Sequence, residues 1–301
     1  NVLRKFSLLQ NERQIYMAQF TNQATLRYNG TITNSNVVTG EIREVISVTK
    51  TTLLGTYSRN GTITYLVSIL NSGTADYTGL TVTDNLGQYT VSEGVNVVPL
   101  DYETGSVKYY INGELQTAPA VVSGPPLVVN GITVPAGGNT IIVYEARANE
   151  YAPLNAEGII NNTATVSGGG LNTPVEAVAT VSALAEPILS ITKALCPSTV
   201  TENGEITYTF YIQNTGNTAI TAGDDVSVSD NFAPAIDLTS VIFNGNAWAS
   251  ATDYTYDGTT GEFATVPGKI TVPAATYSQN PTTGVWTVTP GVSTLVITGT
   301  I

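Results

Sequence analysis

Histidine is absent from this chain of 301 residues, cysteine and methionine occur once each, and charged residues make up only 11% of it. Each shortage excludes something. Without histidine the sequence has neither the usual general base near neutral pH nor the commonest zinc ligand, which removes most hydrolase and metalloenzyme templates. The single cysteine, Cys196, has no partner for a disulfide within the chain; it reads as a small apolar residue at a strand end before Pro197, with a bridge to another molecule as the alternative. Eleven Lys and Arg stand against 23 Asp and Glu, and the formal net charge of −12 is nowhere reversed by a basic cluster. A phosphate backbone would be repelled, so nucleic acid is not expected as a partner. No apolar run approaches the roughly 18 residues of a membrane helix. The opening NVLRKFSLLQNERQIY carries charges where a signal peptide has its apolar centre, and residues 1–16 read as a flexible arm or an artefact of start-site choice. With no G-x-S-x-G string, phosphate-cradling loop or paired carboxylates in a catalytic context, the chain is expected to be no enzyme and to use no cofactor.

What is present is β-forming. Hydrophobic residues make up 42% of the chain, with threonine, valine, asparagine and glycine abundant and no Leu/Ala/Glu/Lys blocks of the kind helices favour. The periodicity is two: Ile63, Tyr65, Val67 and Ile69 alternate with Thr64, Leu66, Ser68 and Leu70, and Ile206, Tyr208, Phe210 and Ile212 alternate with more polar neighbours. Half-buried strands separated by Gly, Asn and Pro turns predict an all-β fold, each domain a sandwich of two antiparallel sheets.

The sandwich occurs twice. ISVTK at 46–50 matches LSITK at 189–193, and NGTITYLVSILNSG at 60–73 matches NGEITYTFYIQNTG at 203–216, the same distance further along. LTVTDN at 80–85 answers VSVSDN at 226–231, and GITVPAG at 131–137 answers KITVPAA at 269–275. Asn112-Gly113 and Asn244-Gly245 mark corresponding hairpin turns. These strings, together with INNTATVSG, resemble a family of bacterial and archaeal surface-protein repeats, the domain of unknown function eleven. The resemblance runs from about residue 20 onward. It implies immunoglobulin-like sandwiches in extracellular, repetitive, structural or adhesive proteins, and supplies no catalytic residues.

The copies differ at their ends. In the first, TIIVYEARA is followed by some forty residues that include IINNTATVSGGG and VEAVATVSA; the second reaches the corresponding TLVITGTI at 294–301. The second copy is therefore expected to lack its closing strands. The matching piece stands at the front: TNQATLRYNG at 21–30 resembles NNTATVSGGG at 161–170, so that Phe20, Asn22, Ala24 and Leu26 align with Ile160, Asn162, Ala164 and Val166. The expected organisation is a donor strand or hairpin at 17–45, a first sandwich at 46–185, and a second at 186–301. Residues 43–45 give the donor a reach of roughly 10 Å at about 3.5 Å per residue, too short to serve its own second sandwich without tight folding back. The donor face is expected to comprise Phe20, Asn22, Ala24, Leu26, Tyr28, Ile32, Val38 and Ile42, and the acceptor edge Leu295, Ile297 and Ile301.

The expected function is thus a structural subunit of a cell-surface or spore-surface fibre, self-associating head to tail into a homopolymer by strand complementation. The alternative is an adhesin stalk or carbohydrate-binding surface module, monomeric or part of a longer array, with a glycan or protein ligand. Two chemical motifs accompany this reading. Asp84-Asn85, Asp230-Asn231 and Asp224-Asp225 lack the regular spacing of a calcium loop and read as turn formers, so no metal is expected. Lys50 and Lys193 occupy equivalent places, as do Asn162 and Asn22; by analogy with bacterial surface sandwiches that form spontaneous Lys–Asn isopeptide bonds, and not from any motif, they are candidates for such a bond with Asp84, Asp230 or Glu145 as proton shuttle, against the plainer expectation of exposed lysines. Trp248, Trp286 and the tyrosines read as packing residues, with GTTGEF and PTTGVW as hairpin turns.

Overall fold

The computed structural model describes residues 18–42 and 44–301 of the chain; the expectation for residues 1–16 lies outside the described residues. Residues 18–42 fold as a hairpin. Ala18–Asn22 pairs antiparallel with Val38–Ile42, and Thr25–Tyr28 with Thr31–Asn34. Asn29 and Gly30 turn it with φ of 43° and 78°, the left-handed pair that a two-residue turn between twisted strands requires. Asn112-Gly113 and Asn244-Gly245 turn their hairpins with the same pair of positive φ angles.

The first repeat packs two antiparallel-based sheets over one apolar core running from Ile46 to Ala183. In one sheet Asn139–Ala148 is central, flanked by Lys108–Ile111 and Thr62–Asn71, with Ile46–Thr52 beyond the latter at the edge. The other has the order Ala120–Val122, Leu127–Val134, Tyr77–Asp84, Ile159–Gly168, Val175–Ala183, Thr56–Tyr57. Alternation does what period two dictates: Ile63, Tyr65, Val67 and Ile69 all point into the core.

The second repeat builds a separate core around Ile206, Phe210, Phe232, Phe263, Leu295 and Ile297. Its larger sheet has the order Leu189–Cys196, Glu205–Asn214, Gly291–Thr300, Asp237–Phe243, Asn246–Ala247, and its smaller one Ser229–Asn231, Glu262–Thr265, Tyr254–Tyr256. Internal similarity in sequence is similarity in bonding. Asn71 donates from Nδ2 to the carbonyls of Ala75 (2.8 Å) and Pro135 (3.0 Å) and accepts from the Gly73 N–H (2.9 Å). Asn214 does the same with Thr218 (2.7 Å), Pro273 (3.1 Å) and Gly216 (2.9 Å). In both repeats a buried asparagine satisfies the backbone groups that a bend after the long strand leaves open.

The expected acceptor edge needs correction. Gly291–Thr300 is paired on both sides, with Glu205–Asn214 and with Asp237–Phe243, so it is a central strand. Leu295 and Ile297 are core residues and Ile301 follows the strand end. The alternation in TLVITGTI reports which face is buried; it says nothing about how many neighbours a strand has.

PTTGVW is more than a turn. The hairpin of Thr276–Gln279 and Trp286–Thr289 reaches the first repeat, where the Trp286 indole N–H (3.2 Å) and the Gln279 amide (2.6 Å) both donate to the Tyr89 hydroxyl. Ser92 closes the contact with a 2.7 Å bond to the Pro281 carbonyl. Trp248 packs on Phe243, ring centroids 4.8 Å apart, and Phe263 of GTTGEF is in the second core. Among the described residues no helix is long and apolar enough to cross a membrane.

Candidate functional site

Three strands bring one amine, one carboxylate and one carboxamide together in the first repeat. The alternation of Ile46–Thr52 turns Lys50 inward with Ile46 and Val48; Tyr77–Asp84 ends on an inward Asp84; Ile159–Gly168 places Asn162 between Ile160 and Ala164 on its buried face. Lys50 Nζ donates to Asp84 Oδ2 at 2.6 Å, with 0% and 2% of the two side chains exposed. The Tyr144 hydroxyl donates to the same carboxylate oxygen at 2.5 Å and accepts from Asn162 Nδ2 at 3.0 Å. Asn162 Oδ1 accepts the Gly87 N–H at 3.2 Å, and Asp84 Oδ1 accepts the Leu86 N–H at 3.0 Å. The turn that aims these two N–H groups has Leu86 and Gly87 both left-handed, φ 52° and 74°, and a Cβ on Gly87 would stand 2.5 Å from Ile160 Cγ2.

The expectation of exposed lysines therefore fails at Lys50, whose ammonium lies over the Tyr65 ring, 4.8 Å from its centroid. Burial lowers its pKa to about 8, although the Asp84 carboxylate pulls the other way. Burial likewise pushes the Tyr144 hydroxyl well above its ordinary value, so it stays a hydrogen-bond donor. Of the carboxylates considered, Asp84 is in the cluster; Glu145, next to the inward Tyr144, is on the outer face of its strand and takes no part.

The second repeat holds the same amine and carboxylate without the cover. Lys193 bonds Asp230 and lies over the Tyr208 ring at 4.3 Å and the Phe232 ring at 5.2 Å. Their side chains are 37% and 19% exposed. Every residue of Leu189–Cys196 is exposed, Cys196 included: Ile191 is 51% exposed where its counterpart Val48 is 3% exposed. In the first repeat Val175–Ala183 and Ile159–Gly168 pack across the lysine strand. Ile159–Gly168 also pairs with Tyr77–Asp84, whereas the corresponding Ser229–Asn231 is paired through Glu262–Thr265 alone at the end of its sheet.

The hairpin at 18–42 is exposed as well. Phe20 is 54% exposed, against 2% for its counterpart Ile160, and Asn22, Ala24, Leu26, Tyr28, Ile32 and Val38 are all exposed. Cross-strand partners share a face, so Phe20 and Asn22 stand with Gly40 and Val38. The expected single donor face is wrong at one position. The register shifts by one residue across 35–37, and Ile32 comes opposite Arg27, on the face away from Leu26 and Tyr28. Ile42 pairs with Ala18, but the expectation for its side chain lies outside the described residues.

Asp224 is engaged locally, accepting from the Thr221 N–H (2.7 Å) and hydroxyl (2.9 Å). Among the described residues no group of three or more Cys, Asp or Glu is placed to hold a metal ion.

No family model and no curated protein matches the chain. Solved structures do. The major pilin subunit BcpA of Bacillus cereus is 13% identical, with 93% of this chain and 74% of that one covered and a TM-score of 0.32. The full-length major pilin RrgB of Streptococcus pneumoniae is 10% identical, covering 84% and 42%, with a TM-score of 0.34. A family 123 glycoside hydrolase of Clostridium perfringens is 9% identical, covering 47% and 27%, with a TM-score of 0.30. The chain spans less than half the length of the latter two. These are similarities of β build, shared by pilins and an enzyme alike, and they assign no activity.

Proposed function

We propose that the chain is a structural subunit of a bacterial cell-surface or spore-surface fibre, assembled head to tail by strand complementation. The hairpin of one molecule takes, in the second repeat of the next, the place that Ile159–Gly168 and Val175–Ala183 hold in the first repeat. The observation that carries this reading is a matched pair of exposures. Phe20 and Leu26 are open to water where Ile160 and Val166 are buried, and Leu189 and Ile191 are open where Ile46 and Val48 are buried. Each surface is what the other lacks.

The register follows from the first repeat, where Ala164 faces Asp84 and Val166 faces Val82. With Asn22 in the place of Asn162, Ala24 faces Asp230 and Leu26 faces Val228. The acceptor is the free side of Ser229–Asn231 and the bare face of Leu189–Cys196, with Leu295 and Ile297 forming the floor of the core beneath. Burial contributes about 1.5–3 kcal/mol for each large apolar side chain, and a new strand satisfies the unpaired N–H and C=O groups of the edge. Because the donor of one copy enters a different site on the next, the association is heterologous, and wherever its rotation does not close a ring it gives a filament. Surface placement rests on the resemblance of the repeated strings to surface-protein repeats.

Size-exclusion chromatography and negative-stain imaging test this directly. The full chain is expected to form concentration-dependent fibres, and the chain without residues 17–42 to remain monomeric. Fibres from the truncated chain, or monomers from the full one at every concentration, contradict the proposal.

A further inference from the structure

A lysine ammonium sealed in a core beside a carboxamide invites the question of what chemistry the arrangement performs. We infer that Lys50 and Asn162 are joined by an isopeptide bond, formed by the protein itself with Asp84 as the acid–base group. The amine and the amide lie one shared hydroxyl and one shared carboxylate apart: Lys50 on Asp84 Oδ2, Tyr144 on the same oxygen, and Asn162 on Tyr144. They approach from opposite sheets, so the bond crosses the sandwich.

The steps balance without oxidant or cofactor. Asp84 takes a proton from the Lys50 ammonium, leaving a neutral amine, a transfer eased by the burial that already lowers the lysine pKa to about 8. Nζ then attacks Cγ of Asn162. The Gly87 N–H, 3.2 Å from Oδ1 in the ground state, meets the negative charge that develops on that oxygen. The Nζ–Cγ bond forms, the Cγ–Nδ2 bond breaks, and Nδ2 receives a proton through Asp84, with Tyr144 bonded to both groups. The second proton that Nζ loses leaves with the ammonia as ammonium, and Asp84 ends ionised as it began.

The purified full-length chain tests this by intact-mass spectrometry and peptide mapping. The expected results are a mass lower by one ammonia than the sequence requires, no tryptic cleavage after Lys50, and a branched peptide joining Lys50 to Asn162. Asn162→Ala is expected to restore the sequence mass for that variant and cleavage after Lys50. Should Asn162→Ala fail to fold, Lys50→Met removes the nucleophile with little change in shape and carries the same expectation for the mass. A wild-type chain at its full sequence mass, with free Lys50 recovered, overturns the inference.

A separate observation extends it to the fibre joint. Lys193 and Asp230 form the same pair on the bare face, and Asn22 stands exposed beside Phe20 on the hairpin. On the head-to-tail reading proposed above, the geometry points to a second bond, between Lys193 of one copy and Asn22 of the next, made by the same exchange with Asp230 as acid–base group and ammonium leaving. Fibres boiled in SDS should then run as a covalent ladder, and Asn22→Ala fibres should fall to monomers. Fibres that form but dissociate wholly in SDS overturn the covalent joint and leave strand complementation standing. A chain that never forms fibres overturns both.

Discussion

The two repeats carry the same lysine and the same aspartate on matching strands, yet the Lys50–Asp84 pair is buried and the Lys193–Asp230 pair stands partly in water. The strands that bear them are nearly the same string, so nothing in the strands themselves makes the difference. What differs is the cover. In the first repeat Ile159–Gly168 and Val175–Ala183 lie over the lysine strand and bring Asn162 to the pair; in the second the corresponding surface is open. Burial, and the chemistry that burial enables, belongs to the neighbours of a residue more than to its own sequence.

That contrast can be broken most sharply at the carboxylates. In the Asn162→Ala background, where Lys50 stays a free amine, Asp84→Ala strands a buried cation and is expected to cost the first repeat about 3–5 kcal/mol. Asp230→Ala, made in the chain lacking residues 17–42, is expected to cost about 0–1 kcal/mol because water already screens the pair. Denaturant unfolding of the two variants reads both, and equal costs would erase the distinction between the sites.

The apolar face gives the next largest effect. Ile46→Ala should destabilise the first repeat by roughly 2–5 kcal/mol. Its counterpart Leu189→Ala should change the unassembled second repeat by no more than about 0.5 kcal/mol, yet slow fibre growth. On the donor side, Phe20→Ala is expected to weaken assembly by about 1.5–3 kcal/mol. That corresponds to a rise of roughly tenfold or more in the concentration at which fibres appear, with the melting of the first repeat unchanged.

The smallest effect is in pH. In Asn162→Ala, where Lys50 stays a free amine, its folded pKa of about 8 lies below the ordinary lysine value of 10.5 that the unfolded chain has. Between the two the unfolded chain binds more protons, so stability should rise as pH rises through that window. Above pH 10 the tyrosines whose burial raises their pKa, Tyr65 and Tyr144 among them, oppose the trend as the unfolded chain begins to lose their protons. Lys50→Met serves as the control: the part of the rise due to Lys50 should vanish in it, as read from denaturation midpoints at pH 8 and 9.5.

Much of this was legible in the sequence, for identifiable reasons. Period-two alternation and Asn-Gly turns marked the strands and hairpins, because both are local. The matching strings marked the repeats, and the likeness of residues 21–30 to 161–170 marked the hairpin. The Lys50–Asp84–Asn162 grouping was visible only as equivalent positions, since its burial depends on residues over a hundred positions apart. Tyr144 and the Gly87 N–H went unforeseen; Tyr144 is replaced by Ile297 in the second repeat, so repetition gave no hint of it. The central place of Gly291–Thr300 and the offset of Ile32 also escaped, because pairing partners and a shift of register at 35–37 leave no mark in alternation. The hold of Trp286 and Gln279 on Tyr89 links the two repeats through a hairpin that looked like an isolated turn.

The central claim is that the open face of the second repeat receives the hairpin of another copy. Its most direct test is to add a peptide spanning residues 17–45 to the chain lacking residues 17–42 and follow amide hydrogen exchange. One-to-one binding that protects amides in 226–231 is predicted, with those of the first repeat unaltered. A peptide that binds nowhere, or that protects only the first repeat, contradicts the account.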